Sequence, residues 1–456
     1  MTATSGTGSD DGSGYSVPPG TSARSLTLVQ HQPADGGIAI SPEPSAQGQS
    51  TLGPPVSDPE PSRATFGAVF AISEFRALWL AQVLSVAGDQ LARVALTLLV
   101  FGRTGSALLA AVTFAASVVP TFIGGIVFSG LADRLPRRRV MIACDLLRMA
   151  LVGVMALTHL PTVVLVVLLF LVTMIGAPFL SARAALYPEI LNGDLYVLGT
   201  AVTLTTLQFA QVLGFALGGA VVGFFGVRTS LLLDAATFAL SALITRVWVR
   251  SWPAAKTAPG RAFRLQDMVT GVQLVFTTPA LRTPMLLGWL AAFYNVPEGV
   301  SAPLAAGVGG GAVAVGLILA SQALGASVGA IAFSRLVDPA VRIRWMNTLA
   351  VGACGVLVLF VFHPPLAAML AVLFVSGIFD CYQLAANASF VNAAPAAQRS
   401  RAFGVALGGM SLGQGAAMVT AGAIAEHHAA PDVVAASGAI GVLCAVLIAI
   451  SRGRKR

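Results

Sequence analysis

From residue 158 to residue 178 the chain reads THLPTVVLVVLLFLVTMIGAP, 21 residues without an Asp, Glu, Lys or Arg. A helix needs roughly 20 apolar residues to cross the ~30 Å hydrocarbon layer of a membrane. A transmembrane strand needs only about ten, with strict alternation, which this run lacks. The run is therefore expected to be a membrane-spanning helix. Similar runs recur to the C-terminus. Over the 456 residues only 10% are charged and 56% are hydrophobic, against roughly 25% charged in soluble domains.

Twelve spans are expected. The first six lie near 77–101, 107–132, 139–160, 162–182, 197–224 and 227–248. The second six lie near 283–306, 311–337, 345–362, 365–386, 402–425 and 432–451. Residues 1–66 are rich in Ser, Gly, Pro and acid, a composition that cannot offset its own ordering entropy. They are expected to form a disordered cytoplasmic tail. No basic segment leads into an apolar core there, so the tail does not read as a signal peptide. Residues 67–248 would form one six-helix half, 249–282 a cytoplasmic linker, and 283–456 a second half with a basic tail.

Net charge is +8, and the basic residues explain it by position. With the N-terminus inside, Arg134, Arg137 to Arg139, Arg183, Arg250, Lys256, Arg261, Arg264, Arg282, Arg335, Arg342, Arg344, Arg399, Arg401 and the terminal RGRKR fall on one side. Only Arg103 and Arg228 fall in the outward loops. This is the positive-inside pattern, so membrane lipid rather than nucleic acid is the expected partner. Both termini would face the cytoplasm of a multi-pass cell-membrane protein.

FSGLADRLPRRR at 128–139 is echoed 205 residues later by FSRLVDPAVRIR at 333–344. Asp133 matches Asp338, and Arg137 matches Arg342. A duplicated six-span half would give such an offset, and parallel repeats are a known transporter architecture.

The first copy resembles the cytoplasmic loop signature of the major facilitator superfamily, Gly-x-Leu-Ala-Asp-Arg-x-Gly-Arg-Arg. Leu131, Ala132, Asp133, Arg134, Arg137 and Arg138 match in place, while Ser129 and Pro136 replace the two glycines. FRALWLAQVLSVAGDQLARVALTLLVF, SARAALYPEIL and LLLDAATFALSALIT look like the branch that holds the enterobactin exporter and macrolide-efflux proteins. The resemblance implies an all-α membrane fold of twelve helices in two six-helix pseudo-repeats. It implies alternating access, export, and a cytoplasmic gate of Gly130, Asp133, Arg134, Arg137, Arg138 and Asp338 that latches the halves when the outer side is open. The plainer reading of the basic cluster is topology alone. Antiporter-type members often carry Gly-Pro-x-x-Gly-Gly in span five. Here GFALGG places Phe215 at the Pro, and Gly214, Gly218 and Gly219 remain as small helix-packing positions.

Ionisable residues inside apolar spans are costly and are candidates for function. Asp89 and Arg93 share a face of span one at i, i+4. They form either a local ion pair or a proton-coupling carboxylate restrained by an Arg. Glu298, beside Asn295, Pro297 and Gly299, marks a break in span seven and lies in the cavity or at its outer mouth. Asp380 and Gln383 give span ten a polar face. Asp145, Arg148 and Asp234 read as structural partners near span ends. The four cysteines sit in apolar runs without metal spacing, and the five histidines show no His-x-x-x-His pair. No phosphate-binding Gly-x-x-x-x-Gly-Lys-Ser/Thr occurs. Neither an enzyme nor a cofactor is expected, and a proton gradient is the expected energy source. The expected function is proton-coupled export of an amphipathic small molecule (a drug, antibiotic or siderophore-like compound) by a monomer. The alternatives are an importer or lysophospholipid transporter on the same fold, or a non-transporting sensor or scaffold that uses the tail.

Overall fold

The computed structural model describes residues 65–128, 135–157, 159–251, 265–395 and 398–453. Residues 1–64 of the expected N-terminal tail and 252–264 of the 249–282 linker lie outside these residues, and the later part of that linker is not a loop but the helix Leu265–Thr277. Among the described residues the regular elements are helices, and no strand is present.

The first long helix, Ser73–Thr104, has 32 residues, about 48 Å at 1.5 Å per residue. It stops at Gly105, whose φ of 66° is left-handed and whose N–H reaches Phe101 O. Ser106 then caps the next helix, its Oγ accepting from Leu109 N at 3.1 Å. That element comes in two pieces, Ala107–Ala115 and Val119–Val127. The turn between them precedes Pro120, which donates no backbone hydrogen bond. Arg137–Met155 and Thr162–Ile190 follow.

Asp194–Trp248 runs for 55 residues, about 82 Å as one rod, nearly three bilayer cores. It breaks at Gly226, where φ 80° and ψ 170° leave helical space. The two arms on either side correspond to expected spans five and six. The segment expected as span seven is cut into Pro279–Trp289, Ala291–Tyr294, Val296–Gly299 and Ser301–Gly307. The breaks at Leu290, Asn295 and Val300 flank the Pro297-Glu298-Gly299 stretch. Ala312–Leu336, Pro339–Gly355 with a 3-10 turn to Phe362, Leu366–Phe379, Tyr382–Ala393, Arg399–Ile424 and Ala430–Gly453 complete the bundle.

Nine helices among the described residues are long and apolar enough to cross a membrane. The difference from twelve has physical causes. The 55-residue helix holds two arms, Arg137–Met155 carries three leading arginines with Asp145 and Arg148, and the 279–307 segment is interrupted. Large apolar side chains such as Val163 (72% exposed), Phe224 (78%) and Phe362 (78%) cover the outside. In water this would be an aggregation surface, whereas against lipid tails it is solvated.

Helices before residue 250 pack mainly on one another, as do those after 279. Glycines set the closest approaches. A Cβ on Gly325 would lie 2.0 Å from Phe374 O, and one on Gly377 would lie 2.2 Å from Gln322 O. The two groups meet along two seams. Gly219 faces Gly316, where an added Cβ would stand 2.8 Å from the Gly316 Cα and 2.7 Å from Ala312 O. Gly422 faces the start of the second span, with Ala107 O 3.0 Å from an added Cβ. Both seams lie toward the end that carries the 104–107 turn.

Candidate proton and substrate site

Five ionisable side chains converge inside the first group of helices. Asp89 sits about 24 Å along Ser73–Thr104, and its carboxylate accepts from Arg148 Nη2 at 2.6 Å. The Asp89 side chain is 28% exposed and that of Arg148 only 5%. Arg148 Nη1 also donates to Ser85 Oγ at 3.3 Å. Its guanidinium lies over the Phe238 ring, 4.1 Å from the centroid, where charge meets the electron-rich face. Asp145 and Asp234 are fully buried. Asp145 Oδ2 accepts from Ser241 Oγ at 2.6 Å. Asp234, Phe238 and Ser241 therefore share one face of their helix at i, i+4 and i+7 spacing.

Arg93 is attracted by its i, i+4 neighbour Asp89 but does not hydrogen-bond it. It donates to Ser117 O at 3.0 Å, satisfying a carbonyl that the broken second span leaves free. Asp89 takes its cation from the third span instead. Arg148, expected near a span end, lies about 16 Å along its helix and is the centre of the cluster. The signal was present in the sequence as Asp145-x-x-Arg148 inside an apolar run, but the sequence does not show which helix faces it. Asp89, Arg93, Arg148, Asp234, Ser117 and Thr121 line a cavity of about 240 Å³.

Across the seam, Glu298 makes no side-chain hydrogen bond among the described residues. It interacts electrostatically with Arg93 of the opposite group. Asp380 accepts from Tyr294 Oη at 2.5 Å, and Gln383 Nε2 donates to the same hydroxyl at 2.8 Å. Gln322 Nε2 bridges Tyr294 O at 2.9 Å and Asn295 Oδ1 at 3.0 Å. Asn295, Asp380 and Gln383 thus form a hydrogen-bonded brace around the break in the 279–307 segment.

A larger cavity of about 600 Å³ is mainly apolar, with Phe122, Ile126, Phe276, Trp289, Leu407 and Leu412 in its wall. Thr121 lines both this cavity and the charged one. Trp289 is held by its indole N–H to Ala406 O at 2.9 Å. Gly409 admits the Trp289 ring and Gly408 admits the Phe122 ring, since a Cβ at either would overlap it. These aromatic walls went unrecognised in the sequence, because Phe122, Phe276 and Trp289 lie on three separate elements.

The expected gate residues divide. Gly130, Asp133 and Arg134 lie outside the described residues. Arg137 pairs with Glu189 at 3.2 Å, and Arg138 donates to Arg246 O, both within their own group of helices. Asp338 is exposed at the start of Pro339–Gly355, and Arg342 ties back to Ser334 O and Val337 O, both at 2.7 Å. Gly214 meets the Gln90 side chain, Gly218 meets Leu91 and Gly219 meets Gly316.

The opposite end carries a bridge that sequence reasoning missed. Glu426 accepts from Ser106 Oγ at 2.6 Å and Leu108 N at 2.8 Å. It thereby joins the loop after Arg399–Ile424 to the N-terminus of Ala107–Ala115. The Ser106 hydroxyl, then the Leu108 amide, hold its carboxyl below the usual value of 4.5. A carboxyl depressed on folding stabilises its state above the ordinary value, and that stabilisation is lost as pH falls through the lowered one. Glu426→Gln is therefore expected to loosen this end at neutral pH, read as faster thiol labelling of an Ala111→Cys probe, buried at this end against Gly422, relative to the same probe with Glu426 intact. Equal rates would show that the bridge does not hold the end closed.

A lipid-facing helical bundle with two groups of helices meeting around buried charge is the architecture of a secondary transporter. Solved structures agree at the level of fold. One is a POT family transporter in complex with a thioalcohol-conjugated peptide, with TM-score 0.67 and 10% identity, covering 83% of this chain and 96% of that one. Another is the human organic anion transporter TETRAN, with TM-score 0.61 and 15% identity, covering 82% and 99%. The model of the transmembrane secretion effector family matches residues 64–454, and the chain belongs to that family, within the major facilitator superfamily. The multidrug efflux pump Tap of Mycolicibacterium fortuitum is 26% identical over 356 residues, 75% of this chain and 86% of that protein. Tap of Mycobacterium tuberculosis (strain ATCC 25618 / H37Rv) is 27% identical over 322 residues, 65% and 74%. The chain is thus a multi-pass membrane transporter of the efflux branch and not an enzyme.

Proposed function

We propose that this transporter exports an amphipathic small molecule in exchange for protons, by alternating access in the cell membrane with both termini cytoplasmic. The observation that carries the reading is the Asp89–Arg148 pair, whose carboxylate is part-exposed to a cavity while its cation is buried. A carboxylate placed so is reachable by a proton, and protonation releases a guanidinium that must find another partner. The aromatic cavity that shares Thr121 with this site suits the apolar body of a substrate, and pockets of ~300–1,000 Å³ hold drug-sized ligands. Closed seams toward the 106/426 end and intra-group bonds at Arg137, Arg138 and Arg342 fit a conformation open to the cytoplasm. The proton gradient supplies the energy, and a monomer is a sufficient unit.

The test uses everted membrane vesicles and a panel of fluorescent dyes, antibiotics and siderophores. Vesicles bearing the protein should accumulate at least one compound, and dissipating the pH gradient should abolish accumulation. Asp89→Asn should insert normally and lose gradient-driven uptake by tenfold or more. Undiminished gradient-driven transport in that variant would remove Asp89 from coupling. Accumulation by intact cells instead would reverse the direction and support the importer reading.

A further inference from the structure

Asp234 is a fully buried carboxylate with almost no company. Thr237 Oγ1 reaches its Oδ1 at 3.4 Å, but its shorter bond of 2.7 Å goes to the Asp234 carbonyl. Oδ2 has no partner. Two placements tie the group to the charge pair. A Cβ on Gly88 would stand 2.3 Å from Asp234 Oδ1, so the carboxyl packs against the backbone beside Asp89. One turn along its own helix, Phe238 carries the Arg148 guanidinium on its ring. The Nε of that guanidinium also lacks a partner. An unpaired acceptor and an unpaired donor therefore lie on the walls of one cavity.

The charged groups facing Asp234 can be named from each packed element. Asp89 comes from the first span, with Arg93 on the same cavity wall but turned to Ser117. Asp145 and Arg148 come from the third; Asp145 Oδ2 accepts from Ser241 while its Oδ1 has no partner, so Asp234 differs from it in having only the long Thr237 contact at either oxygen. Glu298 faces Arg93 from across the seam, so four acids stand against two arginines, two negative charges remain when all are ionised, and protons must be held among the acids to balance them. A low-dielectric interior strongly disfavours the unpaired charge.

We propose that Asp234 is a second proton-holding site and the alternate partner of Arg148. The proposal rests on the reading of Asp89 as the coupling carboxylate. In the conformation described, Arg148 is on Asp89 and Asp234 holds the proton. When a proton from the cavity binds Asp89, Arg148 leaves it and pairs with Asp234, whose proton departs. One O–H bond forms and one breaks, and the net charge of the cluster is the same before and after. The Phe238 ring supplies a surface on which the guanidinium pivots between the two acids.

The test reads protons directly and needs no substrate. Infrared spectra of the purified full chain in lipid report the carbonyl stretch of protonated carboxyls. The wild type minus Asp234→Asn difference at neutral pH should contain such a band, which assigns it to Asp234. In Asp89→Asn, Arg148 is released to Asp234, and the same band should disappear. Should Asp234→Asn not assemble, Asp234→Glu identifies the band by a shift in its frequency. No band attributable to Asp234 in the wild type would overturn the proposal. A band that persists in Asp89→Asn would do the same, because it marks a permanently neutral structural acid. The expected band behaviour together with gradient-independent efflux would sink the proton-coupling reading alone.

Discussion

Arg148→Met should be among the most damaging single substitutions in the chain. Arg148 is the buried cation of the cluster, with Asp89 at 2.6 Å and Asp145 and Asp234 fully buried near it. Removing one partner of a fully buried ion pair costs about 3–5 kcal/mol, because the remaining charge stays uncompensated, and the part exposure of Asp89 lowers that figure for this pair. The expected result is a large fall in thermal midpoint and in yield of monodisperse protein. Arg148→Lys should recover only part of the loss. An ammonium keeps the charge but gives up the fork that reaches both Asp89 and Ser85, and the flat stacking on Phe238. The diagnostic variant is the double substitution Asp89→Asn with Arg148→Met. It removes both ends of the pair, so it should be more stable than Arg148→Met alone, with a coupling energy of ~0.5–3 kcal/mol in a double-mutant cycle. Additive effects would mean that Arg148 acts through packing and not through Asp89.

The same cluster shows which parts of this protein were legible in its sequence. Crossing helices follow from composition, because a backbone in lipid has to satisfy its own hydrogen bonds. The interruption at Asn295 to Gly299 was also legible, since Pro and Gly disrupt a helix whatever surrounds them. Gly214, Gly218 and Gly219 announced close packing, although their neighbours lie on two different helices: the Gln90 side chain and Leu91 on the first span, and Gly316 on Ala312–Leu336. Phe215, standing where a signature Pro was expected, is buried, and its carbonyl lies against Gly316.

Pairing was not legible. Helical periodicity places Asp89 and Arg93 on one face, but the choice of partner depends on which other helix turns an Arg toward that face. Asp89 and Arg148 are 59 residues apart, and Asp234 lies on a further helix. Nothing local distinguishes such a triad from three separate structural charges. The Glu426 bridge to Ser106 spans 320 residues and was invisible for the same reason. The aromatic cavity is likewise assembled from parts that look like ordinary span residues one at a time.

The cross-group glycine seam supports the second large expected effect. Gly219→Leu should drive the protein away from the conformation described here. Even the first added carbon would lie 2.7 Å from Ala312 O and 2.8 Å from the Gly316 Cα, and backbone atoms cannot swing aside as a side-chain tip can. Overpacking of a close contact costs ~1–3 kcal/mol. If the opposite conformation parts this seam, only one of the two states bears the cost. A differential of that size shifts a two-state equilibrium by about 5–150-fold. Ala111, buried opposite Gly422 at the same end, is a suitable reporter. An Ala111→Cys thiol should react with a membrane-impermeant maleimide at least fivefold faster in the Gly219→Leu background, after subtraction of labelling at the native cysteines. Net transport should fall, since the cycle has to return through the state that the substitution penalises. Gly102→Ala is the matched control, because nothing lies within 4 Å of its added carbon. Equal labelling in all three backgrounds would show that the Gly219–Gly316 contact persists through the cycle, and alternation would then have to be sought in the Ala107–Ala115 and Arg399–Ile424 seam alone.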